Sequence, residues 1–173
     1  MANSIILVLS SLLAFLSLHA DAASPNDVVS TVCPKTSNPG FCASVLKSAG
    51  SPDLARVAAY TLNLARTNAA QSLSLARSLA KTSETPLKQC YSACSVNYDE
   101  AVGEIEQAQN YLAVGDYNGV NVEASAVMTE VGECDGTFRN PPADTSSLTK
   151  NGKTLEDLCS IILVISNLLP TSM

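Results

Sequence analysis

The sequence predicts an all-α fold, specifically an up-down-up-down four-helix bundle preceded by a disulfide-closed N-terminal helical hairpin. Three observations lead there. Apolar residues recur at steps of three and four through most of the 173 positions, the spacing of one helix face. The two-residue alternation of strands is almost absent. Clusters of Pro, Gly, Ser and Asn divide the periodic runs into two short pieces followed by four long ones.

The first segment stands outside that fold. Residues 5–18 form an unbroken run of Ile, Leu, Val, Ser, Ala and Phe, too short to cross a hydrocarbon core of ~30 Å. Ala20, Ala22 and Ala23 follow with the small-residue spacing of a signal-peptidase site. Residues 1–23 therefore read as a cleaved secretory signal, although no Lys or Arg precedes the apolar run. The remainder, 24–173, is the size of one domain and divides into a hairpin over 24–50 and a bundle over 51–173. The expected destination is extracellular, with no membrane attachment after cleavage.

The hairpin comprises helical pieces at 27–33 and 39–49, separated by Pro34 and the turn cluster Ser37-Asn38-Pro39-Gly40. Cys33 and Cys42 would close it. A loop of that length contributes roughly 2.7 kcal/mol on the chain-entropy account, enough to hold a piece with little core of its own.

Ser51-Pro52-Asp53 opens the first long helix, with Ser51 expected as cap and Pro52 at the first helical position. Leu62, Ala65, Ala69, Leu73, Ala76 and Leu79 form its buried face. The second helix follows Glu84-Thr85-Pro86 and carries Leu87, Tyr91, Cys94, Tyr98, Ala101, Ile105, Ala108 and Leu112 at alternating steps of four and three, a heptad seam. Gly115-Asp116 ends it and begins the third, whose seam is Val120, Ala124, Val127, Val131, Cys134 and Phe138. After a Pro141-Pro142 loop, Leu148, Leu155, Leu158, Ile162, Ile165 and Leu169 form the fourth, which Pro170 stops. Four amphipathic helices with short connections specify the bundle.

The seams also predict a covalent bond. Cys94 and Cys134 occupy core positions of consecutive helices, each about two to three turns from its own end, so antiparallel packing would bring them together. This bridge contributes roughly 3.9 kcal/mol on the same account. Cys90 and Cys159 remain as either a third bridge or two thiols, the latter with Cys159 buried; Cys90 lies only four residues from Cys94, a spacing poorly suited to a disulfide. No pair has the C-x2-C spacing of a zinc knuckle.

Composition excludes several chemistries. The only histidine, His19, lies in the signal segment, so beyond it there is no imidazole for a triad or a metal. Acid–base work would fall to carboxylates, but paired carboxylates that cleave glycosides need a cleft between them. A narrow bundle rich in Ala and Ser offers none, and aromatic residues make up only 5% of the chain. The chain is therefore not expected to be an enzyme or to carry a cofactor or metal. Ten Lys and Arg face fifteen acids once Asp21 is removed, an acidic balance that argues against nucleic acid. Residues 89–138 hold nine acids and no Lys or Arg, whereas 54–82 hold Arg56, Arg66, Arg77 and Lys81 and no acid. Such a split describes either a solvated surface or one that meets a basic protein, where complementary fields raise association rate and specificity.

The run Thr31-Val32-Cys33-Pro34-Lys35-Thr36-Ser37-Asn38-Pro39-Gly40-Phe41-Cys42 resembles the opening of plant invertase and pectin methylesterase inhibitors. So do Cys94-Ser95-Val96-Asn97-Tyr98-Asp99-Glu100-Ala101-Val102, Gly115-Asp116-Tyr117, Ala124-Ser125-Ala126, Cys134 and the ending from Leu158-Cys159 to Leu169-Pro170. The resemblance implies the same bundle, disulfides Cys33–Cys42 and Cys94–Cys134, and a free cysteine at Cys159. It also implies a secreted protein of the apoplast, monomeric when free, that inhibits a plant pectin methylesterase. The inhibitor would cover the pectin-binding cleft in a one-to-one complex, mainly with its second and third long helices. Carried over by position, Asn97, Glu100, Asp116 and Glu133 are the expected contacts; Glu104 and Asp135 are added from charge. Residues 97, 100 and 104 would share one exposed stripe.

The tail Val164-Ile165-Ser166-Asn167-Leu168-Leu169-Pro170 and the Pro141-Pro142 loop resemble the esterase-inhibiting branch more than the other. An inhibitor of cell-wall or vacuolar acid invertase is the alternative; the Pro-Lys-Phe triplet of some such inhibitors is absent, because Thr36 follows Pro34-Lys35. Val96, Gly103, Glu133 and Gly136 depart from the family pattern, and Cys90 is an addition to it. Outside inhibition, a carrier of small apolar ligands would need space in a core whose seams look filled, and a purely structural protein would bind neither enzyme.

Overall fold

The computed structural model describes residues 24–139 and 143–170; residues 1–23, expected from the sequence to be a secretory signal, and Pro141-Pro142 lie outside the described residues. Helix α1 spans Pro25–Val32, a single 3-10 turn covers Cys33–Lys35, and α2 spans Pro39–Ala49. The long helices are α3 (Leu54–Thr82), α4 (Leu87–Val114), α5 (Tyr117–Gly136) and α6 (Leu148–Leu168).

Caps and glycines set these boundaries. Ser24 and Asp27 form a reciprocal capping box at α1, and Asn38 caps α2 through Phe41 N. At α3 the sequence-based expectation needs correction: Asp53, not Ser51, is the cap, its Oδ1 accepting from Ala55 N at 2.8 Å and Arg56 N at 3.1 Å. A carboxylate that takes two orphan N–H groups and complements the helix dipole outcompetes a hydroxyl placed two residues earlier. Ser51 instead accepts from the Asp53 amide, and Pro52 stays outside the helix. Gly115 ends α4 with φ 77°, a left-handed conformation that costs glycine nothing.

The long helices form a closed ring: α3 packs on α4, α4 on α5, α5 on α6, and α6 returns to α3. Adjacent helices are antiparallel, as the cross-helix pairs Asn63–Gln109, Arg66–Glu106 and Arg77–Asp99 show for α3 and α4. The predicted seams are the core. Tyr91, Cys94, Tyr98, Ala101, Ile105 and Ala108 of α4 meet Val120, Ala124, Val127, Val131 and Cys134 of α5, all buried. Leu87, Leu112, Phe138 and Leu169 are only partly buried, where the seams reach the ends of the bundle. Many interior residues are alanines, which let the helices approach closely.

Both predicted disulfides are present: Cys33–Cys42 with Cα atoms 5.4 Å apart, and Cys94–Cys134 at 4.6 Å. Cys90 and Cys159 are thiols, Cys159 buried in α6 and Cys90 half-buried beside the Thr137 carbonyl. The hairpin is fastened to α6 by a buried carboxylate and by the Ser37 amide, which donates to Ser160 Oγ at 3.0 Å. Asp157, 6% exposed, accepts from Ser37 Oγ at 3.2 Å, Asn38 Nδ2 at 2.8 Å and Lys153 Nζ at 2.6 Å. Burial alone would raise its pKa, but the Lys153 ammonium and the two hydrogen bonds outweigh it and hold the carboxyl below its ordinary range.

Candidate partner-binding face

Helix α4 sorts its acids by face. Asp99 and Glu106, seven residues apart, point at α3 and are neutralised there: Asp99 meets Arg77 at 3.1 Å and Glu106 meets Arg66 at 2.6 Å. Both pairs are half-exposed, so each adds little stability. Their consequence is electrostatic, because they consume two of the four bases on α3.

Glu100 and Glu104 are turned towards α5, which presents Glu123, Glu130 and Glu133. None of these five carboxylates makes an ion pair among the described residues. Asn97 ties the two helices together, its Nδ2 donating to Glu130 Oε2 at 2.8 Å and Glu133 Oε2 at 3.2 Å. The Cys94–Cys134 bridge fixes the register that makes this contact possible. A shallow groove of about 440 Å³ follows, lined by Glu100, Gly103, Glu104, Gln107, Asn110 and Glu123, with the Arg66-paired Glu106 at its edge towards α3. Exposed valines stand nearby: Val96 on α4, 61% exposed, and Val122 on α5, 65% exposed.

Glu104 shows what this arrangement does to charge. Its Oε2 is buried and meets no donor. Burial first, then Glu130, Glu123 and Glu100, together raise its pKa to about 7. A carboxyl held so far above its ordinary value marks a site where negative charge is crowded and lacks a counter-ion.

The sequence-predicted residues thus fall into three groups. Asn97, Glu100, Glu104 and Glu133 converge on the α4–α5 face, but Asn97 and Glu104 are half-buried rather than fully exposed as the predicted stripe required. Asp116 is exposed and caps α5, accepting from Gly119 N at 2.9 Å; it lies fourteen positions from Glu130, roughly 20 Å along the helix, at the other end of this face. Asp135 turns away towards α6, with Oδ1 buried. Burial, then Glu156 and Asp144, push its carboxyl up, and Arg139 opposes them. Two members of the cluster, Glu123 and Glu130, were not singled out from the sequence. Their seven-residue spacing, continued by Glu133 three positions on, is the signal that would have found them.

A different kind of site is not apparent. No group of three or more Cys, His, Asp or Glu suited to a metal occurs among the described residues, and none of the described helices is long and apolar enough to cross a membrane.

Comparison with known proteins places this geometry. Residues 27–165 match the family described as plant invertase/pectin methylesterase inhibitor. The chain is 38% identical over 161 residues to a pectinesterase inhibitor of Actinidia deliciosa, covering 91% of this chain and 87% of that protein. It is 36% identical over 164 residues to pectinesterase inhibitor 1 of Arabidopsis thaliana, covering 94% of this chain and 93% of the relative. Among solved structures, a mutant form of an Arabidopsis pectin methylesterase inhibitor superposes with a TM-score of 0.79 at 35% identity, over 83% of this chain and 98% of that one. A second structure, of a pectin methylesterase inhibitor from Arabidopsis thaliana, gives 0.68 at 36% identity, over 83% and 97%. With residues 27–165 matched and its fold shared with solved inhibitors, the chain belongs to the plant invertase/pectin methylesterase inhibitor family.

Proposed function

We propose that this protein inhibits a plant pectin methylesterase by laying the α4–α5 face across the enzyme's pectin-binding cleft in a one-to-one complex that excludes substrate. One observation carries the reading: five carboxylates on that face make no ion pair among the described residues, beside exposed valines, in a fold whose relatives are named pectinesterase inhibitors. The partner surface that fits is basic, with apolar patches opposite Val96 and Val122. Glu100 and Glu133, exposed at the rim, steer the encounter; Asn97 holds Glu130 and Glu133 in place. The protein acts without catalysis, as a secreted monomer in the cell wall, where its target works.

Titration of esterase activity against wild type and a Glu100→Lys/Glu133→Lys variant tests the face. The variant should weaken inhibition at least about tenfold, mainly through slower association, and the difference should shrink with added salt. Equal inhibition by a folded variant would remove this face from the interface.

A further inference from the structure

Helix α4 carries a glycine near its middle for which its own packing gives no reason. Gly103 lies well inside Leu87–Val114, where glycine is less favourable than alanine by about 1 kcal/mol. Its backbone is not left-handed, and a Cβ built there meets nothing within 4 Å. Gly119 and Gly152 differ: a Cβ would stand 2.5 Å from the Tyr111 ring at the first and 3.0 Å from Tyr98 Oη at the second, so close packing requires both. Gly132 and Gly136 have open space too, but they line no part of the α4–α5 groove. Gly103 does line it, and the missing side chain leaves a notch there.

The surroundings of the notch are apolar along the ridge. Val96, Val114 and Val122 are the large apolar side chains that stand exposed among the described residues. Val96 lies seven positions before Gly103 and Val114 eleven after it, both within about 20° of the same helix face and about 10 Å and about 16 Å away along the axis. This ridge of α4 is thus apolar on either side and empty at Gly103. On the α5 wall of the groove, Val122 is exposed next to Glu123. Such a surface is complementary in shape to one that projects a single side chain between apolar neighbours.

The groove itself decides the chemistry of that side chain. Glu100, Glu104 and Glu123 make no ion pair among the described residues, and Glu104 Oε2 is buried without a donor. Arg66, the cation at the edge towards α3, is already engaged by Glu106. Carboxylate oxygens presented from two helices suit a head group that only donates, as an ammonium or guanidinium does, and about 440 Å³ is room for one long side chain.

We propose that the notch at Gly103 receives one long basic side chain, lysine or arginine, projecting from the partner enzyme, with Val96, Val114 and Val122 packing on apolar groups around it. The assignment rests on the α4–α5 face being the inhibitory one. It makes Gly103 a determinant of which esterase is bound, because an enzyme with no basic side chain at that place would leave Glu104 covered and unpaired.

Inhibition of a purified plant pectin methylesterase at pH 7 by wild type, Gly103→Gln, Glu104→Gln and the double variant tests the notch. Glutamine is a good helix former, so Gly103→Gln should unfold at a temperature no lower than wild type. Its side chain fills the groove and should weaken inhibition at least about tenfold. Glu104→Gln should weaken inhibition in the wild-type background and add nothing in the Gly103→Gln background, where the basic side chain no longer reaches the carboxylate. Wild-type inhibition by Gly103→Gln or by Glu104→Gln, or additive losses in the double variant, would overturn the notch and leave the face in place. A wild type that inhibits no esterase would overturn the reading of the face, and the notch with it.

Discussion

Glu104 is a carboxyl that the fold itself makes hard to ionise. Burial comes first, then Glu130, Glu123 and Glu100, and together they lift its pKa to about 7. Because the folded value lies above the unfolded one, this group's contribution is fully present below the ordinary carboxylate range and is lost as pH rises through about 7. The side chain is only partly buried, so solvent screening limits the effect to no more than about 1 kcal/mol. Glu104→Gln should therefore unfold at a higher temperature than wild type at pH 7.5 and at nearly the same temperature at pH 4.5. Parallel midpoint profiles for the two proteins would contradict the assignment. Asp144 behaves in the opposite way. Although burial opposes it, the carboxylate accepts from Thr149 N, Ser146 Oγ and N, and Tyr91 Oη, which holds its pKa at about 2. It joins the start of α6 to α4, and its stabilising effect is present above the ordinary carboxylate range and fades as pH falls towards 2. Asp144→Asn should cost about 1 kcal/mol at pH 6 in a denaturant titration, a difference that disappears near pH 2; an Asn variant equal to wild type at pH 6 would show the bonds to be idle.

At the scale of elements, periodicity made the bundle legible. Steps of three and four name the buried face of a helix without knowledge of its neighbours, so the seams of α4 and α5 could be read residue by residue. Core positions of consecutive antiparallel helices, each a few turns from its own end, then gave Cys94–Cys134. Caps were less legible, because Ser51, Pro52 and Asp53 all suit a helix start and only the direction of the Asp53 carboxylate decides between them. The acidic face was visible only as a count of charges. Its division into neutralised Asp99 and Glu106 and uncompensated Glu100 and Glu104 depends on which side of α4 meets the arginines of α3. Asp135 follows Cys134 directly, and a rotation of about 100° per residue carries its side chain away from that face and into contact with α6. The Asp157 latch was invisible for another reason: its partners Ser37 and Asn38 lie about 120 positions away. Asp157→Ala leaves Asn38 without its acceptor and Lys153 without its nearest one, a loss of about 2 kcal/mol. Amide exchange should quicken at least about tenfold across 25–49 while the amides of α4 and α5 stay protected. Uniform acceleration over the whole chain would mean that the hairpin and bundle unfold as one unit.

The whole molecule is a rigid, covalently pinned presenter of charge. Two disulfides, the Asp53 and Asp116 caps of α3 and α5 and an alanine-rich core leave the α4–α5 face little freedom to rearrange, so recognition is expected to proceed with a preformed surface and a modest ordering cost. Both enzymes named in the family description are candidate targets for that surface, and the fold is compatible with either. The central claim is that an esterase is the target. Its most direct measurement is the inhibition of a purified plant pectin methylesterase and an acid invertase, in parallel, by equal amounts of the oxidised protein at pH 5 to 7, with the mass of any complex read by light scattering. The account predicts loss of esterase activity with a one-to-one complex and untouched invertase; invertase inhibited while the esterase runs freely would contradict it.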